Sequence, residues 1–378
     1  MNYNLTKALL SSVVAATLFT SCKPTPDTDT PFPPTASTAV FIGSQNQFIY
    51  SLNPMTGAKK WEVNVGAPVY SSPVLYNDIL FVGTPSSTLY KIDPITGTKK
   101  SSKVSIAYGM TTTPIGQENL LIYTTGNRIA AIDITPDTTE WFVDFPGTLN
   151  SSPIVSDSMV IFGCDNGTVY ARNFRNGNAV WSSANFSTTF NCSPTVDTGN
   201  VYIGGENGVM YCLDRRTGSL KWQFASGAGK PIKSSPVVFG GSVIFGNDDY
   251  KLFCLENVFG TPRWTVKTDD RIRSSPYLYG DRVYVGSYDK KLYVIDVLNG
   301  GIRWIKETDG LIASSPVCYQ NYVYFGSYDK YLYALDTAKG SLLWKYAVNG
   351  LIDCSPSIDP NDGKGMGINS SVSGASVY

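Results

Sequence analysis

The chain has 378 residues and carries 30 basic and 30 acidic side chains, so its formal net charge is zero. That balance, without a basic cluster, argues against a protein that binds nucleic acid through a cationic surface. The chain contains no histidine, which removes the commonest general base and transition-metal ligand from any enzymatic interpretation.

The N-terminus, residues 1–21, is predicted to be a lipoprotein signal peptide. Lys7 precedes an apolar stretch over residues 8–19 that is too short for a permanent membrane-spanning helix. The stretch ends in the sequence LFTSC, which is similar to the lipobox of bacterial lipoproteins. We therefore expect lipidation of Cys22 and an outer-membrane lipoprotein that faces the periplasm or the cell surface. The alternative is an ordinary secretory signal with a coincidental cysteine.

Residues 22–38 are predicted to form a tether. The stretch contains five prolines and several threonines, and it shows no pattern that could form a core. A proline-rich segment of this kind is semi-extended. Acyl chains on Cys22 would then hold the protein at a membrane surface while the rest of the chain remains soluble.

A first repeated mark begins at residue 53 and recurs 40 to 42 residues apart. Each copy has an acidic or amide residue, a turn residue four positions later and, four positions after that, a tryptophan. The second copy has Ser101 in place of tryptophan, and the third has Asp137 in place of glycine. All seven tryptophans of the chain occupy this one position: Trp61, Trp141, Trp181, Trp222, Trp264, Trp304 and Trp344.

A second mark, Ser-Ser-Pro or a close variant, recurs at the same period. Short segments rich in Val, Ile, Tyr and Phe follow each copy, separated by polar turns, which indicates four strands per repeat. No later stretch shows a sustained 3.6-residue period. These features predict an all-β fold, an eight-bladed β-propeller of four-stranded antiparallel blades with the Ser-Ser-Pro strand innermost. The second mark begins at Ser71, Thr112, Ser151, Cys192, Ser234, Ser274, Ser314 and Cys354.

The two ends of the repeat predict how the ring closes. The chain enters at residues 39–43 with a second-strand sequence, and it leaves at residues 354–356 with an innermost-strand sequence. The N- and C-terminal strands should therefore share one blade. We expect a monomeric ring over residues 39–358, followed by a Gly/Ser-rich tail, residues 359–378, to which no structure is assigned.

Cysteine usage is consistent with the repeat. Two of the six cysteines after Cys22 replace the first serine of the second mark, and two others lie at one phase of neighbouring strands. Replacement by a small residue favours buried free thiols, although a disulfide between Cys164 and Cys192 is an alternative. The six are Cys164, Cys192, Cys212, Cys254, Cys318 and Cys354.

The unit Asp-x-x-x-Gly-x-x-x-Trp, as at Asp336, Gly340 and Trp344, together with the Ser-Ser-Pro strand, resembles the PQQ-like β-propeller repeat. The resemblance implies that the tryptophan docks between adjacent blades and that the glycine permits the turn before the outermost strand. Quinoprotein dehydrogenases of this family carry an adjacent Cys-Cys pair and long insertions, which this sequence lacks. We therefore expect no cofactor, no metal and no catalysis; a PQQ-dependent dehydrogenase is the remote alternative.

The overall plan of lipobox, short tether and one ring resembles BamB-type outer-membrane assembly lipoproteins. The resemblance implies a non-catalytic scaffold with a protein partner in the cell envelope, active in outer-membrane protein assembly. The alternative is a surface or periplasmic propeller that binds a polar or anionic ligand at the mouth of its channel.

One position varies within the fixed repeat, namely the residue before each Ser-Ser-Pro mark. If the innermost strands start at the channel mouth, these residues form a ring around it, as a ligand site or as a hydrated rim. Candidate binding residues in this ring are Tyr70, Asn150, Asn191, Lys233, Arg273 and Asp353, and the other two members are Thr111 and Ala313. Aromatic residues in or near loops either contact a partner or pack between blades: Tyr108, Phe145, Phe186, Phe190 and Tyr288.

Overall fold

A computed structural model describes residues 38–100, 104–135, 137–227 and 229–360. These ranges contain 32 strands arranged in eight four-stranded antiparallel sheets. The predicted signal peptide, Cys22 and nearly all of the tether lie outside the described residues, as do residues 361–378 of the tail. The boundaries assigned to those segments therefore remain predictions.

The blades are numbered along the chain, and each contains four consecutive strands except the last. Blades 1 and 2 contain β4 (Val74–Tyr76), β5 (Ile79–Thr84), β6 (Thr88–Ile92), β7 (Val104–Ser105), β8 (Ile115–Gln117), β9 (Leu120–Thr125), β10 (Arg128–Asp133) and β11 (Thr138–Asp144). Blades 3 and 4 contain β12 (Ile154–Ser156), β13 (Met159–Gly163), β14 (Val169–Asn173), β15 (Ala179–Ser182), β16 (Thr195–Val196), β17 (Asn200–Gly204), β18 (Val209–Asp214) and β19 (Leu220–Ala225).

Blades 5 and 6 contain β20 (Val237–Phe239), β21 (Ser242–Gly246), β22 (Lys251–Glu256), β23 (Pro262–Lys267), β24 (Tyr277–Tyr279), β25 (Arg282–Gly286), β26 (Lys291–Asp296) and β27 (Ile302–Glu307). Blade 7 contains β28 (Val317–Tyr319), β29 (Tyr322–Gly326), β30 (Tyr331–Asp336) and β31 (Leu342–Ala347). Blade 8 contains β1 (Ala39–Gly43), β2 (Phe48–Leu52), β3 (Lys59–Asn64) and β32 (Ser357–Asp359).

Blade 8 closes the ring as predicted. Its strand order is β3-β2-β1-β32, and Val40 of β1 pairs with Ile358 of β32. Both chain ends are therefore tied into one sheet by backbone hydrogen bonds. The last strand extends through Asp359, so the first residue of the stretch left unassigned belongs to the propeller. The predicted eight-bladed, all-β architecture is confirmed.

The innermost strand of each blade is the short one that follows the Ser-Ser-Pro mark, as predicted, and these strands lie beside one another around the axis. Because the strands alternate in direction, the ring has two distinct faces. The upper face carries the residues before each mark and the turns between second and third strands. The lower face carries the remaining turns, and the chain enters there at Thr38 and leaves there at Pro360.

The core lies between the blades. Second and third strands are almost wholly buried, because both of their faces pack against neighbouring sheets, whereas the outermost strands alternate between exposed and half-buried residues. Val40 and Ile42 of blade 8, for example, share one apolar cluster with Tyr324 and Leu332 of blade 7. A continuous ring of such clusters makes each blade dependent on both neighbours.

All six cysteines in the described ranges are buried free thiols, which confirms the favoured prediction over the Cys164–Cys192 disulfide. The Cys192 thiol replaces a serine hydroxyl, since its Sγ accepts a hydrogen bond from the Gly204 amide at 3.2 Å. Burial raises the pKa of Cys192 and of Cys354 to about 12. Both thiols therefore stay protonated and unreactive near neutral pH.

Candidate functional site

The tryptophans connect seven of the eight blades to the next blade on the lower side of the ring. The Trp264 ring lies against Gly300 in the following turn, where a Cβ atom would come within 2.9 Å of it. Gly300 has φ +75°, a backbone conformation that favours glycine. The Trp264 indole Nε1 donates to the Val297 carbonyl oxygen at 3.0 Å. The same bond joins Trp61 to Pro94, Trp141 to Phe174, Trp181 to Arg215, Trp222 to Asn257, Trp304 to Thr337 and Trp344 to Pro54.

The interface between blades 1 and 2 replaces this arrangement with a buried ion pair. Lys91 of β6 is 2 % exposed, and its Nζ donates to the Ile134 carbonyl oxygen at 3.1 Å. That oxygen is the counterpart of the carbonyls that receive the indole bonds elsewhere. Lys91 also pairs with Asp137, which stands in the glycine position with φ +60°. The copy without tryptophan and the copy without glycine thus meet at a single interface.

A belt of hydroxyl groups surrounds the channel just below the upper mouth. In each blade the second residue of the Ser-Ser-Pro mark donates its backbone N–H to the hydroxyl of its counterpart in the next blade, at 2.8 to 3.4 Å. Eight such bonds close on themselves, and each residue is both donor and acceptor. The serine belt consists of Ser72, Thr113, Ser152, Ser193, Ser235, Ser275, Ser315 and Ser355.

Three of the candidate mouth residues form one chain of contacts. The Asn150 amide donates to Asn191 Oδ1 at 3.0 Å, and the Asn191 amide donates to Glu206 Oε1 at 2.6 Å. Lys233 pairs with the same carboxylate at 3.6 Å. Glu206 therefore gathers two polar rim residues from neighbouring blades and neutralises the Lys233 ammonium.

Arg273 takes part in a separate bidentate ion pair. Its Nε and Nη2 donate to the two carboxylate oxygens of Asp248 at 3.0 and 2.8 Å. The hydrogen bonds and charge of Asp248 raise the pKa of Arg273 above its ordinary value. The guanidinium also lies over the Tyr288 ring, 5.2 Å from its centroid. The positive charge of Arg273 is therefore compensated within the protein.

The opposite arc of the mouth is aromatic and acidic. Asp353 accepts hydrogen bonds from the Tyr328 hydroxyl and from the Gln45 amide. Burial, together with the bond to Asp353, raises the pKa of Tyr328. Tyr70 is 38 % exposed. The structure thus connects Asn150, Asn191 and Lys233 while it places Arg273, Asp353 and Tyr70 in other surroundings.

The sequence analysis missed the residues that hold the rim in place. Glu206, Asp248, Tyr328 and Gln45 each lie two positions after the glycine that ends a second strand. This glycine recurs at a fixed position of the repeat, so the sequence could have identified the residue two positions after it. What remained hidden was the distance between this turn and the residue before the next Ser-Ser-Pro mark.

The aromatic residues singled out in the loops divide into two groups. Phe145 contacts Phe162 and Tyr170 with ring centroids 5.2 and 4.6 Å away, and Phe190 is fully buried. Phe186 packs on Tyr211 at 4.4 Å. These three side chains pack between blades. Two others lie at the surface or mouth, Tyr108 with 47 % exposure and Tyr288 beneath the guanidinium groups of Arg271 and Arg273.

The carboxylates at the channel mouth are engaged by neighbouring protein groups. In the part of the chain that the structure describes, no group of three or more Cys, Asp or Glu side chains converges as metal ligands would. The mouth carboxylates of Glu206, Asp248 and Asp353 are already engaged by neighbouring protein groups.

No helix within the described ranges has the length and apolar character needed to cross a membrane.

A family model described as outer membrane protein assembly factor BamB matches residues 11–105, 99–230 and 206–351. The chain belongs to this BamB family of PQQ-like propellers. No curated protein matches its sequence. Membership in the BamB family agrees with the ring of four-stranded blades and with the tryptophan docking described above.

Solved structures similar to this BamB-family chain include both natural and designed propellers. BamB from Moraxella catarrhalis is 17 % identical with a TM-score of 0.64, over 75 % of this chain and 89 % of that one. The computationally designed Ika8 protein is 14 % identical with a TM-score of 0.69, covering 79 % and 95 %. Quinohemoprotein alcohol dehydrogenase from Comamonas testosteroni is 13 % identical with a TM-score of 0.64, covering 77 % and 70 %. At these identities the likeness concerns the fold alone.

Proposed function

We propose that this protein is a non-catalytic, lipid-anchored interaction scaffold of the outer membrane that takes part in the assembly of outer-membrane proteins. The observation that carries the proposal is the match of the BamB family model along residues 11–351, which spans nearly the whole ring. In this proposal the ring supplies binding surfaces, and Cys22 supplies the membrane anchor. The partner is a protein of the cell envelope.

The lower face offers a surface suited to a protein partner. Phe259 and Leu298 are 76 % and 77 % exposed, and they lie on equivalent turns of the adjacent blades 5 and 6. Val258, next to Phe259, is also exposed. Large exposed apolar side chains on one face favour protein contact, because covering them removes apolar area from water. We call these three residues the lower apolar patch.

The described chain enters the ring at the lower face. Thr38 lies at the lower face, where its carbonyl oxygen accepts a hydrogen bond from Lys60 at 2.6 Å. Fifteen residues lie between Cys22 and Thr38, and a fully extended chain of that length reaches at most about 55 Å. An anchor at Cys22 would therefore keep the entry point of the ring within about 55 Å of the membrane.

Site-specific photo-crosslinking in native membranes tests the scaffold. A photoreactive residue at Phe259 or Leu298 should capture a subunit of the outer-membrane barrel-assembly machinery. Tyr250 is the matched control, since it is 41 % exposed on the upper face of blade 5. Equal capture at all three positions, or none at the lower apolar patch, would contradict the proposal.

Membrane fractionation tests the anchor separately. Cys22→Ser should release the protein into the soluble periplasmic fraction, whereas Cys318→Ser, a buried control, should leave it with the membranes. Membrane retention of the Cys22→Ser protein would remove lipidation from the proposal and leave the scaffold to be judged by crosslinking.

The alternative of an anionic ligand at the channel mouth has less support. Lys233 and Arg273, the two cations that would attract such a ligand, are paired with Glu206 and Asp248. An anion would have to displace a carboxylate from each of them. The contacts therefore favour a hydrated, structurally fixed rim.

A further inference from the structure

One position of the outermost strand carries a charged side chain after only one of the seven tryptophans. Where the residue two positions after a tryptophan is apolar, it packs against the next blade. Phe224 contacts Phe253 with ring centroids 5.5 Å apart, and Tyr346 contacts Tyr50 at 5.9 Å. Between blades 6 and 7 this position is occupied by Lys306, while the other copies have Val63, Val143, Ser183, Phe224, Val266 and Tyr346.

The lysine coincides with a cavity of about 450 Å³ in the groove between blades 6 and 7. Its volume falls within the range of small-molecule sites, roughly 300–1,000 Å³. Tyr333 is 4 % exposed and is held in place by a 2.6 Å hydrogen bond from its hydroxyl to Asp329. The cavity is lined by Lys290, Lys306, Glu307, Thr308, Asp309, Tyr333, Leu342 and Lys345.

Three ammonium groups surround this cavity without a carboxylate partner. Throughout the described ranges, Lys290, Lys306 and Lys345 form no ion pair with an acidic side chain. The neighbouring groove differs, because Lys291 there pairs with Asp269 at 2.7 Å. Lys345 is positioned by the Tyr331 ring, whose centroid lies 4.3 Å from its Nζ.

We propose that this cavity binds a phosphomonoester carried by a sugar-sized group. A phosphate presents three terminal oxygens, and lysine binds phosphate as a mobile point charge. Leu342, half-exposed at the edge, offers apolar contact to the carrier group. The acidic residues Glu307 and Asp309 line the same cavity and provide acceptors for hydroxyl groups, which favours a polyhydroxylated carrier over an alkyl phosphate. This site is separate from the channel mouth and from the lower apolar patch.

Calorimetric titration of the full ring with glucose 1-phosphate at low salt tests the site, with glucose as the uncharged control. The protein should carry Cys22→Ser, so that an acyl anchor does not confuse the comparison with vesicles. We expect binding of glucose 1-phosphate and none of glucose. Lys306→Val, which introduces the residue found at position 266, should weaken the binding at least tenfold.

Two further variants separate a lost site from a damaged fold. Lys345→Gln changes an exposed residue and should also weaken binding, whereas Lys330→Ala, outside the cavity but at the turn position equivalent to Lys290, should leave it unchanged. Binding to phosphatidylcholine vesicles that contain phosphatidic acid, without binding of the free sugar phosphate, would identify a lipid headgroup as the source of the phosphomonoester. Absence of binding to both probes, or binding by Lys306→Val and Lys345→Gln as strong as that of the wild-type ring, would overturn the proposal.

Discussion

The ammonium of Lys91 donates a 3.1 Å hydrogen bond to the carbonyl oxygen of Ile134, the place that an indole N–H occupies at the tryptophan-bearing interfaces. The missing tryptophan at position 101 and the missing glycine at position 137 therefore have one explanation, namely that a lysine replaces the indole as hydrogen-bond donor. A tryptophan ring in this place would require glycine opposite it, as at Gly300. With Lys91 as donor, Asp137 can occupy the left-handed conformation and pair with the ammonium.

Replacing Lys91 with methionine should destabilise the protein. The change removes the donor to Ile134 and leaves the Asp137 carboxylate unpaired at the blade interface. Loss of one member of a buried ion pair costs about 3 kcal/mol. Urea unfolding followed by tryptophan fluorescence measures the change in the free energy of unfolding.

The double variant Lys91→Met/Asp137→Gly provides the control. It removes the stranded carboxylate and places glycine at a positive φ, so it should recover about 2 kcal/mol of the loss. If the double variant were as unstable as Lys91→Met alone, the ion pair would not account for the stability of this interface.

Gly300→Ala should destabilise the ring more than an alanine at a free turn glycine. The added Cβ would lie 2.9 Å from the Trp264 ring, in a backbone conformation with φ +75°. Gly280 is the matched control, because its φ is +60° and nothing lies within 4 Å of an added Cβ. Backbone strain destabilises both variants by about 1 kcal/mol. The contact with Trp264 adds a further loss of stability only at position 300. Thermal unfolding of the two variants should differ, and equal melting temperatures would argue against tryptophan docking as the constraint.

Ser275→Ala should open the serine belt at one bond. The variant removes the hydroxyl that accepts from the partly buried Ser235 backbone N–H at 3.0 Å, and leaving this donor without a partner costs about 1 kcal/mol. Ser275→Thr retains the hydroxyl and resembles Thr113, which naturally occupies the belt. It should therefore unfold close to the wild-type urea midpoint. If the threonine variant were as unstable as the alanine variant, steric crowding and not the lost hydrogen bond would account for the loss of stability.

Asp197 should make stability depend on pH in the acid range. Burial by itself would raise the pKa of Asp197, but hydrogen bonds from Tyr202, Gly199 and Asn200 outweigh it and hold that pKa below 3.8. A carboxylate with a lowered folded pKa stabilises the protein fully above its unfolded pKa. That contribution is lost as the pH falls through the folded pKa.

The test compares Asp197→Asn with wild type in urea at neutral pH and between about pH 4 and pH 2. The variant should be less stable at neutral pH, and its stability should decline less as the acid is added. Asp78→Asn, at an exposed hairpin, is the control and should keep the wild-type slope. If the stability of Asp197→Asn fell with pH as steeply as that of the wild type, other carboxylates would dominate the loss of stability in acid.

The sequence by itself determined the number of blades, the innermost strand and the shared closing blade, because a period near 40 residues and the phase of its marks are local properties of the chain. The pairing of Val40 with Ile358 confirms the shared blade. The same periodicity also located the mouth residues as a ring. It could not show that Glu206 joins Asn191 to Lys233, since contacts between blades depend on side-chain directions across a gap.

Only the tertiary structure decided which departures from the repeat compensate one another and which leave a site. Lys91 and Asp137 are 46 positions apart in the printed numbering, yet they form one ion pair, and so their irregularities cancel. Lys306 departs from the same pattern without an acidic partner within the described residues, beside a cavity. The repeat period of the sequence assigns each residue to a position in a blade. Whether a charged side chain has an oppositely charged partner depends on distances between blades, and only the closed ring fixes those distances.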